Sequence, residues 1–146
     1  MTIDREAADS ATPAELPARW RTLSLLAVAM LLAMTTWFSA SAVVPHLRDA
    51  WGLSSAAASL LTIAVQLGFV AGAVTSAFLT LADVVPPRRV MLFGAMGAAL
   101  VNALLLVADG PVLAVPLRFL TGAFLAGVYP PGMKAMSTWF RAGRGL

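Results

Sequence analysis

TLSLLAVAMLLAMTTWFSASAVV, Thr22 to Val44, runs 23 residues without a charged side chain. As an α-helix, rising about 1.5 Å per residue, it would reach roughly 35 Å, enough to cross a ~30 Å hydrocarbon core. A backbone in hydrocarbon has no water to satisfy its N–H and C=O groups, so such a run reads as a spanning helix. It is too long for a signal peptide, and more apolar runs follow, so the loosely cleavage-like SASA at 39–42 reads as helix.

Outward from this stretch the pattern repeats. Residues 1–21 are polar, with Asp4, Arg5, Glu6, Asp9, Glu15, Arg19 and Arg21, and read as a short, mostly disordered cytoplasmic tail. Residues 22–146 read as a helical membrane region with spans at about 22–44, 55–82, 90–108 and 112–140. Pro45 is expected to end the first helix. Trp51 in the connection PHLRDAWGL suits a membrane interface, and Ser54 or Ser55 can cap the second helix. Asp109-Gly110-Pro111 is a tight turn by its residue types, and Pro130-Pro131 should kink or break the fourth span. The expected fold class is all-α integral membrane, with four transmembrane helices.

Composition agrees. The chain of 146 residues is 60% hydrophobic and 12% charged, about half the charged share of a soluble domain. With so little polar surface, its solvent is lipid for much of its area. There are no cysteines, which excludes disulfides and thiolate chemistry, and one histidine, His46, makes no multi-histidine metal site. No paired carboxylates, Ser-His set or metal cluster stands out, so neither an enzyme nor a cofactor is expected. The net charge of +3 reads as a topology signal, not as nucleic-acid binding. With the N-terminus in the cytoplasm, the inside holds Arg5, Arg19, Arg21, Arg88, Arg89, Lys134, Arg141 and Arg144, against only Arg48 outside. That bias places both termini and the loop between the second and third helices inside the plasma (inner) membrane.

Small residues recur at steps of four: Gly68, Gly72 and Ser76 in the second helix, and Gly94, Ala98 and Asn102 in the third. These read as packing seams. Polar stripes are rarer. Ser24, Thr35 and Ser39 share a face of the first helix, and Ser59, Thr62, Gln66 and Phe69 one of the second. Hydroxyls can bond their own backbone. Gln66 needs a partner helix or water, so it either lines a cavity or bonds between helices. Arg118 lies about six residues into the fourth span, on a face continued by Gly122, Leu125, Tyr129 and Gly132. An arginine at this depth must snorkel, pair or meet water. No carboxylate lies in any of the four spans, unless Asp109 reaches it from the turn. The alternatives are snorkelling to the outer interface and an inward-facing cation on a pathway; the missing partner favours water, an anionic solute or a further helix.

One short stretch concentrates charge. LADVVPPRRV, Leu81 to Val90, interrupts about fifty otherwise almost uncharged residues with Asp83, Arg88 and Arg89. At this place the chain resembles the major facilitator superfamily of secondary transporters, whose motif there is roughly Gly-x-Leu-Ala-Asp-Arg-x-Gly-Arg-Arg. Leu81, Ala82, Asp83, Arg88 and Arg89 match it; Leu79 and Pro86 replace its glycines, Val84 an arginine and Pro87 its first basic residue. RFLTGAFLAGVYPPGMKAMSTWFRAGRGL, from Arg118, is similar to the family's fourth helix and following loop, and SAVVPHLRDAWGLSSAAASLLTIAVQLGFVAGA, from Ser41, to its first two helices. The resemblance covers about residues 22 to 146.

The resemblance implies alternating-access transport of a small solute, driven by an ion gradient. It also implies a loop in which Asp83 pairs with Arg88 or Arg89 and helps latch the cytoplasmic side closed. The alternative is that the two arginines only set topology. The family's cavity is lined mainly by the first and fourth helices of each half, which makes Arg118, Gln66, Tyr129, Thr35 and Ser39 candidate pathway residues. Arg118 favours an anionic solute. Family members have about twelve helices in two halves, so this chain is expected to be an N-terminal fragment or truncated frame that partners missing C-terminal helices in the bilayer. The competing expectation is a complete four-helix protein, such as a small dimeric multidrug exporter or a non-transporting subunit. Those exporters typically carry a membrane glutamate in the first helix, and none is present here.

Overall fold

The computed structural model describes residues 15–139, with side chains described for 20–81 and 84–136. The described residues form helices and turns only: α1 Glu15–Trp51, α2 Ser55–Phe78, the short α3 Leu81–Val84, α4 Pro87–Ala103 continued by a 3-10 turn Leu104–Val107, α5 Pro111–Leu125 and α6 Tyr129–Trp139. Four stretches are long and apolar enough to cross a membrane, Trp20–Trp51, Ser55–Phe78, Pro87–Val107 and Pro111–Met136. The fold is therefore all-α with four membrane-length helices.

The boundaries differ from the sequence expectation in instructive places. α1 begins at Glu15, seven residues before Thr22, so that end of the expected tail is helical. Pro45 does not end α1; the helix passes through it to Trp51. A proline removes one N–H and crowds the carbonyl four residues back, but membrane helices tolerate this where the rest of the ladder holds. The actual stop is Gly52, whose φ of +60° is left-handed. It lets the Leu53 N–H turn back to Arg48 O at 2.9 Å, the glycine-ended closure that satisfies the last carbonyls of a helix. Ser54, not Ser55, caps α2 by accepting from the Ala57 N–H at 3.2 Å.

The fourth span breaks one turn before its prolines. Pro130 and Pro131 have no N–H for the carbonyls of Ala126 and Gly127 and clash with them sterically. The chain answers with a tighter turn, in which the N–H groups of Gly127 and Val128 donate to Phe124 O and Leu125 O, both at 2.9 Å. α5 and α6 thus form one span with an elbow.

α5 is the central helix, packed most closely against α2 and then α4, and α1 touches all three. The α2–α5 seam is built at backbone distance. A Cβ on Gly68 would overlap the carbonyl of Phe119, and one on Gly122 would overlap the carbonyl of Val65. Gly94 of α4 meets the backbone of Phe124 and Gly127 in the same manner. The core beneath is small: Leu61, Val65, Ala98, Ala114, Leu125 and Val128 are buried, whereas Leu31, Phe93 and Leu106 stand outward. In hydrocarbon that is the expected balance, since apolar side chains gain little by leaving lipid and small residues set the approach.

Candidate functional site

Arg118 is at the centre of the bundle with none of its surface exposed. Its place on α5 faces α1 and α2 at once, and its planar fork reaches both. Nε donates to Leu61 O of α2 at 3.3 Å, Nη1 to Thr36 O at 3.3 Å and Nη2 to Trp37 O of α1 at 2.7 Å. The side chain thus turns into the bundle and not outward along its surface. Asp109 is exposed in the turn, and no carboxylate of the described residues partners the guanidinium; its partners are neutral main-chain oxygens. Each of its three nitrogens makes a hydrogen bond but its net charge is not balanced, so the cation keeps its long-range field in a low-dielectric setting.

Around it stands a polar relay. Ser39 Oγ lies 2.9 Å from Thr36 O and 3.0 Å from Asn102 Oδ1 on α4. A hydroxyl carries one proton, so it cannot donate fully to both. With the Asn102 amide turned over, its NH2 donates to Ser39 while Ser39 donates to Thr36 O, and each group is served. A cleft of about 480 Å3 opens here between α1, the 3-10 turn and α5, with Ser39, His46, Asn102 and Arg118 as its polar wall and Leu47 and Trp51 among its apolar one. Such a mostly apolar hollow with a few convergent polar groups is what small-solute sites look like.

On the neighbouring side, three aromatic rings join three helices. Trp37 of α1 and Phe69 of α2 meet edge to face at 5.2 Å between centroids, and Phe69 meets Tyr129 of α6 at 6.2 Å. The Tyr129 hydroxyl donates to Met30 O at 3.2 Å, tying α6 back to α1.

Of the residues singled out in the sequence, Arg118 and Ser39 come together at the cleft, and Tyr129 is linked to them through the Phe69 ring and then Trp37, whose carbonyl holds Arg118. Gln66 is exposed, three residues before Phe69 on α2. Thr35 is exposed and its hydroxyl donates to Leu32 O of its own helix at 2.6 Å. Arg88 and Arg89 are exposed in the first turn of α4. The backbone puts Asp83 in α3, but its side chain, and so its pairing with either arginine, lies outside the described residues. Sequence reasoning took Asn102 for a packing residue; as an amide within an apolar span it carried a signal for a polar partner. The carbonyls of Thr36, Trp37, Leu61 and Met30 carried none.

A comparison with protein-family models matches the Major Facilitator Superfamily over residues 26–146. No curated protein and no solved structure matches the chain. The match takes in all but the first turns of the first membrane helix, and everything after it. The chain thus belongs to the Major Facilitator Superfamily, a family of membrane transporters, and is an integral multi-pass membrane protein.

Proposed function

We propose that the protein takes part in secondary active transport, moving a small solute by alternating access at the expense of an ion gradient. The solute class we favour is anionic. The observation that carries this is Arg118: a fully buried cation whose partners are all neutral carbonyls. Its charge is free to attract an anion entering the cleft, where Ser39 and Asn102 supply hydrogen-bonding groups. Gln66, Tyr129 and Thr35 are the further pathway candidates on α2, α6 and α1. The termini and the Asp83–Arg89 connection lie on the cytoplasmic side, supported by the arginine and lysine bias. Asp83 with Arg88 or Arg89 forms the cytoplasmic latch.

The test uses everted membrane vesicles from cells expressing the native gene, with an imposed proton or sodium gradient and matched panels of small organic anions and cations. Gradient-driven flux is expected for anions, and Arg118→Lys at equal membrane levels raises KM about tenfold or more, because an ammonium lacks the fork and its spread of charge. Wild-type KM in that variant, or gradient-driven flux of cations alone, overturns the anionic reading. Asp83→Asn is expected to slow transport without lowering insertion; normal flux there reduces Arg88 and Arg89 to topology signals.

A further inference from the structure

Two titratable side chains line the cleft of about 480 Å3, Arg118 from α5 and His46 from α1. Ser39, Val43, His46, Leu47 and Ala50 all belong to its α1 wall, and their spacing is that of one helix face. His46 stands two turns beyond Ser39, roughly 10 Å nearer the Trp51 end of α1. The two side chains differ in how they are held. Arg118 donates to three carbonyls. The His46 imidazole is exposed and has no hydrogen bond, ion pair or ring contact among the described residues. The other charged groups of this region stay outside the lining. Arg48 donates to Ser55 Oγ at 3.1 Å, and Asp49 on α1 and Asp109 in the turn before α5 are exposed. The wall facing His46 from α2, α4 and the 3-10 turn is neutral, with Leu61, Asn102 and Leu105.

We propose that His46 binds the proton that accompanies an anion into this cleft. This rests on the anionic reading of the cleft and adds the coupled ion and the residue that carries it. Histidine is the side chain that ordinarily changes charge between about pH 5 and pH 8. In the empty cleft a proton on His46 adds a second cation to that of Arg118, and no carboxylate of the lining offsets either. An anion in the cleft reverses that balance, because it meets two cations and shields each from the other. Proton and anion therefore promote each other's binding by the same factor. The chemistry is one N–H bond. It forms at the imidazole with a proton from the medium on one side of the membrane and breaks when that proton leaves to the other side; the anion's own bonds are untouched.

The experiment reads anion affinity against pH. The protein from the native gene, in phosphatidylcholine nanodiscs, is titrated calorimetrically with benzenesulfonate at the two ends of the histidine range, about pH 5.5 and about pH 8. This probe stays ionised throughout, so any change in its affinity belongs to the protein. Affinity should rise about tenfold at the lower pH. His46→Gln should abolish the rise. His46→Arg, charged at both ends of the range, should bind at the higher pH as tightly as the wild type does at the lower one, a gain that loss of folding cannot produce. A rise that survives in His46→Gln would come from Asp49 or Asp109 and overturns the proposal. Equal affinity at the two pH values overturns it as well, and leaves the anionic reading standing where Arg118→Lys still weakens binding. Failure of the probe to bind at either pH overturns both.

Discussion

The two sides of α2 are both made of small residues and do opposite things. Toward α5, Gly68 and Gly72 let the helices touch backbone to backbone. Toward α4, Ala71, Thr75 and Ser76 face a groove of about 600 Å3. Small residues permit close approach without compelling it. What closes the first side is a helix aimed at it and an arginine that ties the helices across the seam through Leu61 O. On the second side α4 enters through the Leu81–Val90 connection and diverges. The arginines divide in the same way. Arg118 is fully buried at the closed seam, while Arg88 and Arg89 are exposed in the first turn of α4.

That contrast can be broken most severely at the seam. Gly68→Val drives two methyl groups into the Phe119 carbonyl, and should cost about 3 kcal/mol or more in detergent unfolding, because the helices must part. Ala71→Val, only three residues on but at the groove wall, should change stability by less than about 0.5 kcal/mol. Similar losses at both would mean the groove is filled by protein.

Next in size is the arginine contrast. Arg118→Lys keeps the charge but surrenders the fork that spans three carbonyls on two helices. Losing one or two charge-assisted hydrogen bonds should lower unfolding stability by about 2 kcal/mol. Arg88→Lys should leave it unchanged within measurement, as an exposed side chain allows.

Glycine should act with the opposite sign at the connection. Thr80 holds φ 48° and ψ 34°, a left-handed conformation rare for a branched side chain. Thr80→Gly removes that strain and should stabilise by about 1 kcal/mol, less some added freedom in the unfolded chain. A loss instead would show that the Thr80 side chain does something the strain conceals. The smallest effect is Tyr129→Phe, which deletes the hydrogen bond to Met30 O. Such interhelical bonds average about 0.6 kcal/mol in membranes, so thermal unfolding should fall slightly while the ring contact with Phe69 persists.

About half of the candidate site is legible in the sequence. An arginine in an apolar span advertises itself, because its transfer to hydrocarbon is so unfavourable that some compensation must exist. The Arg118 face through Gly122, Leu125 and Gly132 follows from helical spacing, and these residues are buried. The identity of the compensation is not legible. A carboxylate or an outside anion would stand out among apolar residues, but the carbonyls that hold Arg118 do not, because every residue carries one. Gln66, an amide in a span, invites a partner in the same way, and it is exposed on α2.

Sequence alone determined the number of spans, their helical nature and their order, since hydrocarbon admits only segments that satisfy their own backbone over the full bilayer thickness. It also set the elbow of the fourth span through its two prolines, and narrowed the cap of α2 to Ser54 or Ser55. Only the tertiary structure decided that Pro45 would be carried through and Gly52 would close α1. It alone decided that Arg118 would bind carbonyls, and that α2 would be sealed on one side and open on the other. Those outcomes depend on where helices cross, and crossing is settled by many weak contacts among backbone atoms and small side chains, groups that look alike at every position in a sequence.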